Sequence, residues 1–171
     1  MMGAMIGTLK KELPEYNIEP ITEQSFSHAF TVYDTNQTFF LLTQGKEATI
    51  ESSAEDITAA PPNFDISNKL YLGIWRNDDI IGILDLLKGY PNEDCIWVGL
   101  LLIHSNFHNK KIGSTIVDAV LKSAELERYK SVQLGVFGAN TKGLSFWEKH
   151  GFSSIRTTKD NIIVMEKCIE I

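Results

Sequence analysis

The chain has 171 residues, of which 43% are hydrophobic and 22% are charged, and its formal net charge at pH 7 is −6. That length suits one compact domain, which we expect to span 1–171 with a poorly defined N-terminal segment at 1–14. The net acidity argues against broad electrostatic binding of nucleic acid. No apolar run reaches the length of a membrane span, and 1–11 lacks the basic region and long apolar core of a signal peptide. We therefore expect a cytoplasmic protein that binds neither nucleic acid nor membrane.

Hydrophobic periodicity and turn residues predict the elements in chain order. A strand at 16–21 is followed by a helix that begins near Thr22. The stretch 38–66 is ambiguous, with short helices indicated at 39–42 and 52–60 before Pro61-Pro62. The later elements are a hairpin of strands at 70–76 and 80–87, a strand at 95–103, a helix at 112–128, a strand at 131–137, a helix at 141–149, and strands at 152–157 and 162–168. This order predicts an α+β fold, a mixed sheet with helices on both faces.

The two cysteines, Cys95 and Cys168, each stand alone in an apolar, strand-like segment. Because neither belongs to a closely spaced pair, we expect buried thiols in a reducing compartment rather than a disulfide or a zinc site. His104 and His108 stand four residues apart on a predicted loop without a carboxylate or thiol partner. We therefore expect no metal site there.

The stretch from Cys95 to Gly113 is the most informative part of the sequence. Its apolar run at 95–103 indicates a fully buried strand, and a polar loop at 104–111 leads into a long amphipathic helix that begins at Ile112. The first amides of a helix have no partners within it, and the helix dipole adds positive potential at that end. With the basic pair Lys110-Lys111 beside it, this helix start is predicted to bind a phosphorylated cofactor.

A second block runs from Asn140 to Phe152, with a small residue at Gly143, the aromatic pair Phe146-Trp147 and the dipeptide Gly151-Phe152. Together the two blocks resemble those of the GNAT superfamily, the acyl-CoA-dependent N-acyltransferases. The resemblance implies a mostly antiparallel mixed sheet of six to seven strands that is splayed at its central strand pair. It also implies acetyl-CoA as the acyl donor.

In that family a Gln or Arg, two spacers, a Gly, one spacer and a Gly or Ala form the loop that holds the pyrophosphate. This chain has His108 and Lys111 at the first two positions and Gly113 at the third, so two of the three depart from the pattern. The backbone amides that make such a cradle need only an open helix start. The cofactor-binding residues implied by the resemblance are Leu101, Leu102, Ile103, His108, Asn109, Lys110, Lys111, Ile112, Gly113, Ser114, Asn140, Gly143 and Trp147.

The resemblance also implies roles for single residues. Asn140 would cap its helix and contact the pantetheine arm, and Gly151 would end the helix in a left-handed conformation. A bulge at 99–101 would free backbone groups of Leu101 and Ile103, with the Leu101 N–H polarising the thioester carbonyl. Trp147 stands where many members have a tyrosine that protonates the leaving thiolate. An indole N–H does not ionise usefully, so Trp147 cannot be that acid.

Acids and a histidine on or beside the central hairpin are candidates for the base that accepts the amine proton. Asp85 is the strongest, because it is a lone acid in an apolar strand, although it would be merely structural if it lay on an exposed side of that strand. Glu93 and Asp94 fit a solvated turn, and His104 is the remaining candidate. The aromatic residues of the N-terminal half fit core packing better than a substrate cleft; they are Phe26, Phe30, Phe39 and Phe40.

The resemblance implies an N-acyltransferase that moves an acetyl group from acetyl-CoA to a primary amine of a small molecule or peptide. We expect direct attack in a ternary complex, because no Cys or Ser stands in a nucleophile context. The alternative is a non-catalytic acyl-CoA-binding sensor or scaffold module of the same fold, which Trp147 favours. Either protein would be a monomer or a homodimer.

Overall fold

The structure is a computed structural model that describes residues 2–171. Met1, the first residue of the predicted N-terminal segment, lies outside the described residues. The helices are α1 Met2–Glu12, α2 Phe26–Asp34, α3 Gln37–Gln44, α4 Ile50–Glu55, α5 Ile112–Leu126 and α6 Thr141–Lys149. The strands are β1 Asn17–Pro20, β2 Lys69–Arg76, β3 Asp79–Lys88, β4 Cys95–Ile103, β5 Ser131–Phe137, β6 Ser153–Thr157 and β7 Ile162–Cys168.

The seven strands form a single mixed sheet in the order β1-β2-β3-β4-β5-β7-β6. All neighbouring strands are antiparallel except β4 and β5, which are parallel and joined by the crossover helix α5. The predicted fold class, a mostly antiparallel mixed sheet with helices on both faces, is confirmed. The order places the only parallel pair among these strands at the centre of the sheet.

Two hydrophobic clusters cover the two faces of the sheet. Helices α1, α5 and α6 pack on one face, where Leu84 and Val98 are buried. Helices α2 and α3 pack on the other, where Ile83 is buried. Because Ile83 and Leu84 are consecutive on β3, they point to opposite faces, as the pleat of a strand requires. We call these the α5 face and the α2 face.

The N-terminal segment is better ordered than the sequence analysis suggested. Met5, Leu9 and Leu13 are fully buried and lie on one side of α1, which packs against α5. Their spacing of four residues is the helical one. Gly3 and Gly7 lower the helix propensity of this segment, which is why it carries no clear helical signal in its sequence. Tertiary packing stabilises the helix instead.

The prediction that β4 is fully buried is wrong in its second half. Cys95, Ile96 and Val98 are buried, but Gly99 is exposed and Leu101 is half-buried. An irregularity at Gly99 interrupts the pairing of β4, so the strand leaves the closed part of the sheet there. The expectation of two buried thiols also fails, because Cys168 is exposed while Cys95 is buried.

The ambiguous stretch 38–66 contains α3 and α4, which confirms two short helices with shifted limits. Thr49 caps α4 through a capping box with Ser52. In the described part of the chain no helix is long and apolar enough to cross a membrane.

Candidate active site

The central strands separate part-way along their length. Strands β4 and β5 pair from Cys95↔Ser131 to Val98↔Leu134, and the ladder stops there although both strands continue. Between β3 and β4 the register changes from Asp85↔Leu100 to Leu86↔Val98, which leaves Gly99 as the extra residue of a bulge. The structure thus confirms a bulge and a splay where the sequence analysis expected them.

The backbone of β4 beyond the bulge faces the gap at alternate residues. His104 N donates to Ile81 O just beyond the Gly82↔Ile103 pair, so Ile103 and Leu101 hold positions that do not bond to β3. Their backbone groups therefore point toward β5. The Ile103 carbonyl already accepts hydrogen bonds from Asn36 Nδ2 at 2.9 Å and from His108 Nε2 at 2.7 Å. Leu101 is the residue whose backbone opens onto the gap.

The loop between β4 and α5 turns sharply before the helix begins. Asn109 and Lys111 both adopt left-handed conformations, with φ of 60° and 61°. Lys111 is the N-cap of α5 and makes no side-chain cap, so the amides of Ile112 and Gly113 keep their donors free of a capping side chain. A lysine at a position where glycine is usual in the motif therefore takes the glycine-like conformation, at a cost of about 1 kcal/mol.

Cations and an aromatic ring surround this helix start. Lys110, Lys111 and His108 are exposed. Lys110 Nζ and the guanidinium of Arg76 lie 5.4 Å and 5.0 Å from the centre of the Phe107 ring. The sequence analysis missed Arg76, because it ends β2 and only the strand order brings it near the loop. Lys111 at the N-cap, with Lys110 and Arg76 on the Phe107 ring, thus puts three cations on or beside the loop that precedes α5, which adds to the positive potential of the helix end.

Helix α6 has the caps that its sequence predicts. Asn140 Oδ1 accepts from Gly143 N at 3.0 Å, and a Cβ on Gly143 would lie 2.5 Å from Asn140 Nδ2. Glycine at 143 therefore makes room for the cap. At the other end Phe152 N donates to Trp147 O and Gly151 takes a φ of 86°, which is a Schellman ending.

Trp147 lines a narrow apolar cleft on the α5 face, between α5, α6 and the splayed strands. Its ring is half-buried and packs edge-on against Phe146 and Phe152, each 5.1 Å away between ring centroids. The cleft is also lined by Val98 and Leu101. An apolar arm that entered the splay from this side would contact the indole ring.

His150 joins the end of α6 to the first turn of α5. Its Nε2 lies 3.0 Å from Ser114 Oγ, and its ring packs against Phe146 at 4.8 Å between centroids. The Ser114 hydroxyl, expected from the resemblance to bind the cofactor, is therefore held by a histidine that the sequence analysis did not single out. Gly113 of α5 lies close to α6, since a Cβ built on Gly113 would meet the Phe146 ring at 3.4 Å.

Asp85 is buried on the α2 face, directly against the bulge. A Cβ built on Gly99 would lie 2.8 Å from Asp85 Oδ2, so the carboxylate occupies the space that any other residue at 99 would need. Its side chain is 13% exposed. The alternative that Asp85 lies on an exposed side of its strand is therefore wrong.

A buried lysine pairs with this carboxylate. Lys69 Nζ donates to Asp85 Oδ2 at 2.9 Å and to Ala59 O at 2.7 Å, and its side chain is only 3% exposed. Asp85 Oδ1 is buried and accepts no hydrogen bond from residues 2–171. Burial raises the pKa of Asp85 to about 6, against the opposing effect of the Lys69 charge. The site thus holds a carboxylate with one free oxygen and a pKa near neutrality.

Two tyrosines continue this polar cluster toward the surface. Tyr71 stands opposite Asp85 across the β2–β3 ladder, and its hydroxyl lies 2.5 Å from that of Tyr33. Tyr33 in turn donates to Asp56 Oδ2 at 2.6 Å. Burial raises the pKa of Asp56 and of both phenols, so the tyrosines stay protonated at neutral pH. The buried cluster contains two carboxylates and one ammonium group.

The family model described as Acetyltransferase (GNAT) family matches residues 24–152, well over half of the chain. This chain belongs to the GNAT family of acetyltransferases. Solved GNAT structures share its fold. An acetyltransferase from Thermus thermophilus is 18% identical with a TM-score of 0.77, over 90% of this chain and 96% of that one. A PaiA N-acetyltransferase from Thermoplasma acidophilum, in complex with coenzyme A, is 20% identical with a TM-score of 0.65, over 90% and 98%.

A comparison with curated protein sequences found no match. The other structural neighbours include a GNAT-family acetyltransferase from Streptococcus pneumoniae, 17% identical with a TM-score of 0.65 over 91% of this chain and 100% of that one. At these identities the likeness shows the fold. The chain is therefore an acetyltransferase by family, and members of this family use acetyl-CoA.

The other residues considered as the base that accepts the amine proton do not lie at the Gly99 bulge. Asp94 is paired with Lys130 at 2.7 Å on the surface, and Glu93 is exposed in the same turn, as the solvated-turn interpretation predicts. His104 Nδ1 accepts from Asn106 N and caps a short 3-10 turn. No group of three or more potential metal ligands occurs in residues 2–171. The aromatic side chains of α2 and α3 pack in the core, with Phe40 stacked on Tyr33 at 5.0 Å.

Proposed function

We propose that this GNAT protein transfers an acetyl group from acetyl-CoA to a primary amine of a small molecule or peptide, by direct attack in a ternary complex. The observation that carries the proposal is the position of Asp85. Its carboxylate lies against Gly99, where the central strands begin to separate, and on the face opposite the apolar cleft. A cofactor entering from the α5 face and an amine entering from the α2 face would meet at this bulge.

The residues present fit acetyl-CoA. The open amides of Ile112 and Gly113, with Lys110 and Arg76 nearby, suit the phosphates. The gap beside Leu101 suits the extended arm, which can pair with strand backbone, and the Trp147 ring provides an apolar wall. Acetyl-CoA supplies an acetyl group already activated as a thioester.

The proposed reaction needs a group that accepts a proton from the amine and a donor that hydrogen-bonds to the thioester oxygen. A primary amine arrives as an ammonium ion and must lose a proton before its nitrogen can attack. Asp85 is the group that we propose accepts that proton, and its pKa of about 6 leaves it mostly ionised at pH 7. The Leu101 N–H is the donor proposed for the thioester oxygen. The new C–N bond would replace the C–S bond, and coenzyme A would leave as a thiolate, which a reference thiol pKa of about 8.5 makes a tolerable leaving group without a protein acid. The second proton, which the nitrogen loses as it becomes an amide, would protonate that thiolate.

A non-catalytic acyl-CoA-binding module is the second candidate, and Trp147 in the place of the usual tyrosine favours it. Release of free thiol from acetyl-CoA, measured with a panel of primary amines, separates the two. Amine-dependent thiol release together with the mass of an acetylated product would support catalysis. Tight acetyl-CoA binding with no amine-dependent release from any member of the panel would support the binding module.

The first prediction tests the cofactor site at the start of α5. Gly113→Glu places a bulky anion beside the amides and against Phe146, so it should weaken acetyl-CoA binding by at least about tenfold through a clash and like-charge repulsion. Calorimetry measures the affinity. Gly113→Ala is the matched control, because its Cβ would make only ordinary contact with Phe146. A folded Gly113→Glu variant with unchanged affinity would rule out the site.

The second prediction concerns Trp147, which we expect to act by packing. Trp147→Phe keeps an aromatic ring and loses the N–H, so turnover should fall by about tenfold or less, the effect of one modest hydrogen bond. Trp147→Ala removes the wall of the cleft and should reduce both acetyl-CoA affinity and stability. Because the ring is only half-buried, the loss of stability should be smaller than the loss of about 3–5 kcal/mol that follows when a fully buried tryptophan is replaced by alanine. A thousandfold loss of turnover in Trp147→Phe, with unchanged acetyl-CoA affinity, would instead show that the indole N–H takes part in catalysis.

A further inference from the structure

A cavity of about 530 Å³ opens on the far side of the hairpin from the phosphate site. It lies between the segment 62–68, which precedes β2, and the turn that joins β3 to β4. Its walls include Phe64 and Tyr90, which form an edge-to-face pair with centroids 6.3 Å apart, and Tyr129. None of the cofactor contacts proposed above uses this cavity.

The aromatic rings of Tyr90 and Trp97 extend from the cavity along β4 in the direction of the bulge. Tyr90 packs edge-on against Trp97 with centroids 5.7 Å apart, and the Trp97 ring extends over exposed Gly135 of β5. Val98 is buried on the α5 face, so Trp97, its neighbour on β4, points to the α2 face, the face on which Asp85 meets Gly99. The rings therefore form an apolar wall from the cavity toward the proposed point of reaction.

The cavity is negatively charged. Asp65 lines one side and Glu93 the other, and neither forms an ion pair with any residue of the described chain. Hydrogen bonds from the Ser67 hydroxyl and amide lower the pKa of Asp65, so it is ionised at neutral pH. Lys88, the cation that lines the cavity, is paired with Glu127 at 2.8 Å. The nearby cation Lys130 is paired with Asp94 outside the cavity, and its pKa is raised mainly by Asp94 and to a smaller extent by Glu93.

We propose that this cavity binds the second, distal ammonium group of an extended diamine or polyamine acceptor. One nitrogen reacts beside Asp85 while the methylene chain lies along the rings of Tyr90 and Trp97 and the other nitrogen rests in the cavity. The strand distance from Cys95, next to the cavity turn, to Gly99 is about 13 Å at 3.3 Å per residue. An extended chain of nine bonds covers about 11 Å at a rise of about 1.2 Å per bond, and a hydrogen bond of about 2.8 Å from the distal ammonium group to a carboxylate covers the remaining distance. The two electron-rich rings and the two acids are the surroundings that a cationic alkyl chain prefers. This inference rests on the proposed amine acetylation.

Three matched amines test it: 1,8-diaminooctane, octylamine, which has the same chain without the second nitrogen, and 1,4-diaminobutane, which is too short to reach. We expect kcat/KM for 1,8-diaminooctane to exceed that of each of the other two by about tenfold or more. Glu93→Gln should reduce the ratio of kcat/KM for 1,8-diaminooctane over octylamine by about tenfold, and added salt should reduce it as well. Asp160→Asn, which removes one negative charge from an exposed turn away from the cavity, should keep the wild-type ratio.

Equal kcat/KM for 1,8-diaminooctane and octylamine, or a ratio that survives Glu93→Gln, would overturn the proposal while leaving amine acetylation intact. If no amine releases thiol, the proposed function fails, and the cavity is then judged by binding alone. In that case calorimetry of 1,8-diaminooctane with the wild type and with Glu93→Gln gives the result. Binding that weakens in Glu93→Gln supports the cavity, and no difference from octylamine overturns it.

Discussion

Asp85→Asn is expected to lower kcat by about 10²–10⁴-fold, the usual contribution of a positioned general base. Asparagine has nearly the same shape as aspartate but cannot accept the amine proton, and it removes the charge that pairs with Lys69. The matched control is Asp94→Asn, because Asp94 is an exposed acid at the other end of the hairpin. Thiol release at saturating amine and acetyl-CoA measures the effect.

The pH dependence of the activity is a second test of whether Asp85 is the base. The pKa of Asp85 is raised to about 6, and the base must be deprotonated to act. Activity of the wild type should therefore rise as the pH increases through about 6 and then level off with respect to this group. The activity of Asp85→Asn should not show this rise. An Asp85→Asn variant that loses no more activity than Asp94→Asn would show that the carboxylate is structural and that the proton leaves through water.

The parts of the site that are local in sequence could be predicted from it. The Asn140 cap, the Gly143 contact and the Gly151 ending all lie within one helix and its flanks, and their residue types determine the geometry. The bulge at Gly99 was also predictable, since a glycine inside an apolar strand marks either a bulge or a close approach. Gly99 marks both a bulge and a close approach, because Asp85 fills the space beside it.

The parts that depend on strand order were not predictable from local patterns. Lys69 reaches Asp85 diagonally across the β2–β3 ladder, where Asp85 stands opposite Tyr71. Asp85 gave a usable signal, because unpaired charges are seldom buried, but Lys69 stands just before the strand predicted at 70–76 and gave none. Arg76 and His150 gave no such signal, since their contacts with Phe107 and Ser114 join segments that are far apart in sequence.

In the proposed mechanism the two faces of the sheet have different roles. The α5 face provides apolar and backbone groups, which suit an extended, phosphorylated cofactor, whereas the α2 face provides a buried charge cluster, which suits an amine. Gly99 lies where the two meet, and its lack of a side chain lets Asp85 approach the backbone of β4. Any side chain at 99 would displace the carboxylate or close the bulge. The proposed chemistry therefore depends on Gly99, the same residue that disrupts the pairing of β4.

Lys69→Met is expected to lower the free energy of unfolding by about 3–5 kcal/mol at pH 8, the cost of leaving a buried carboxylate without its partner. The loss should be smaller at pH 5. Lys69 lowers the pKa of Asp85, so its removal raises that pKa further above the unfolded value, and protonation then avoids the buried charge. A carboxyl whose folded pKa is raised binds its proton more tightly in the folded state, so stability declines as the pH rises toward that pKa.

The double variant Lys69→Met/Asp85→Asn distinguishes a lost partner from lost packing. With both charges gone, no buried ion remains uncompensated, so most of the stability lost in Lys69→Met at pH 8 should return. Urea unfolding of the wild type, both single variants and the double variant, at pH 5 and pH 8, measures the coupling between the two side chains. If the double variant were no more stable than Lys69→Met, the lysine would stabilise the fold through its contact with Ala59 O and the packing of its stem. Recovery of stability at pH 8, with little difference between the variants at pH 5, would show that Lys69 is the residue that allows Asp85 to stay ionised while buried.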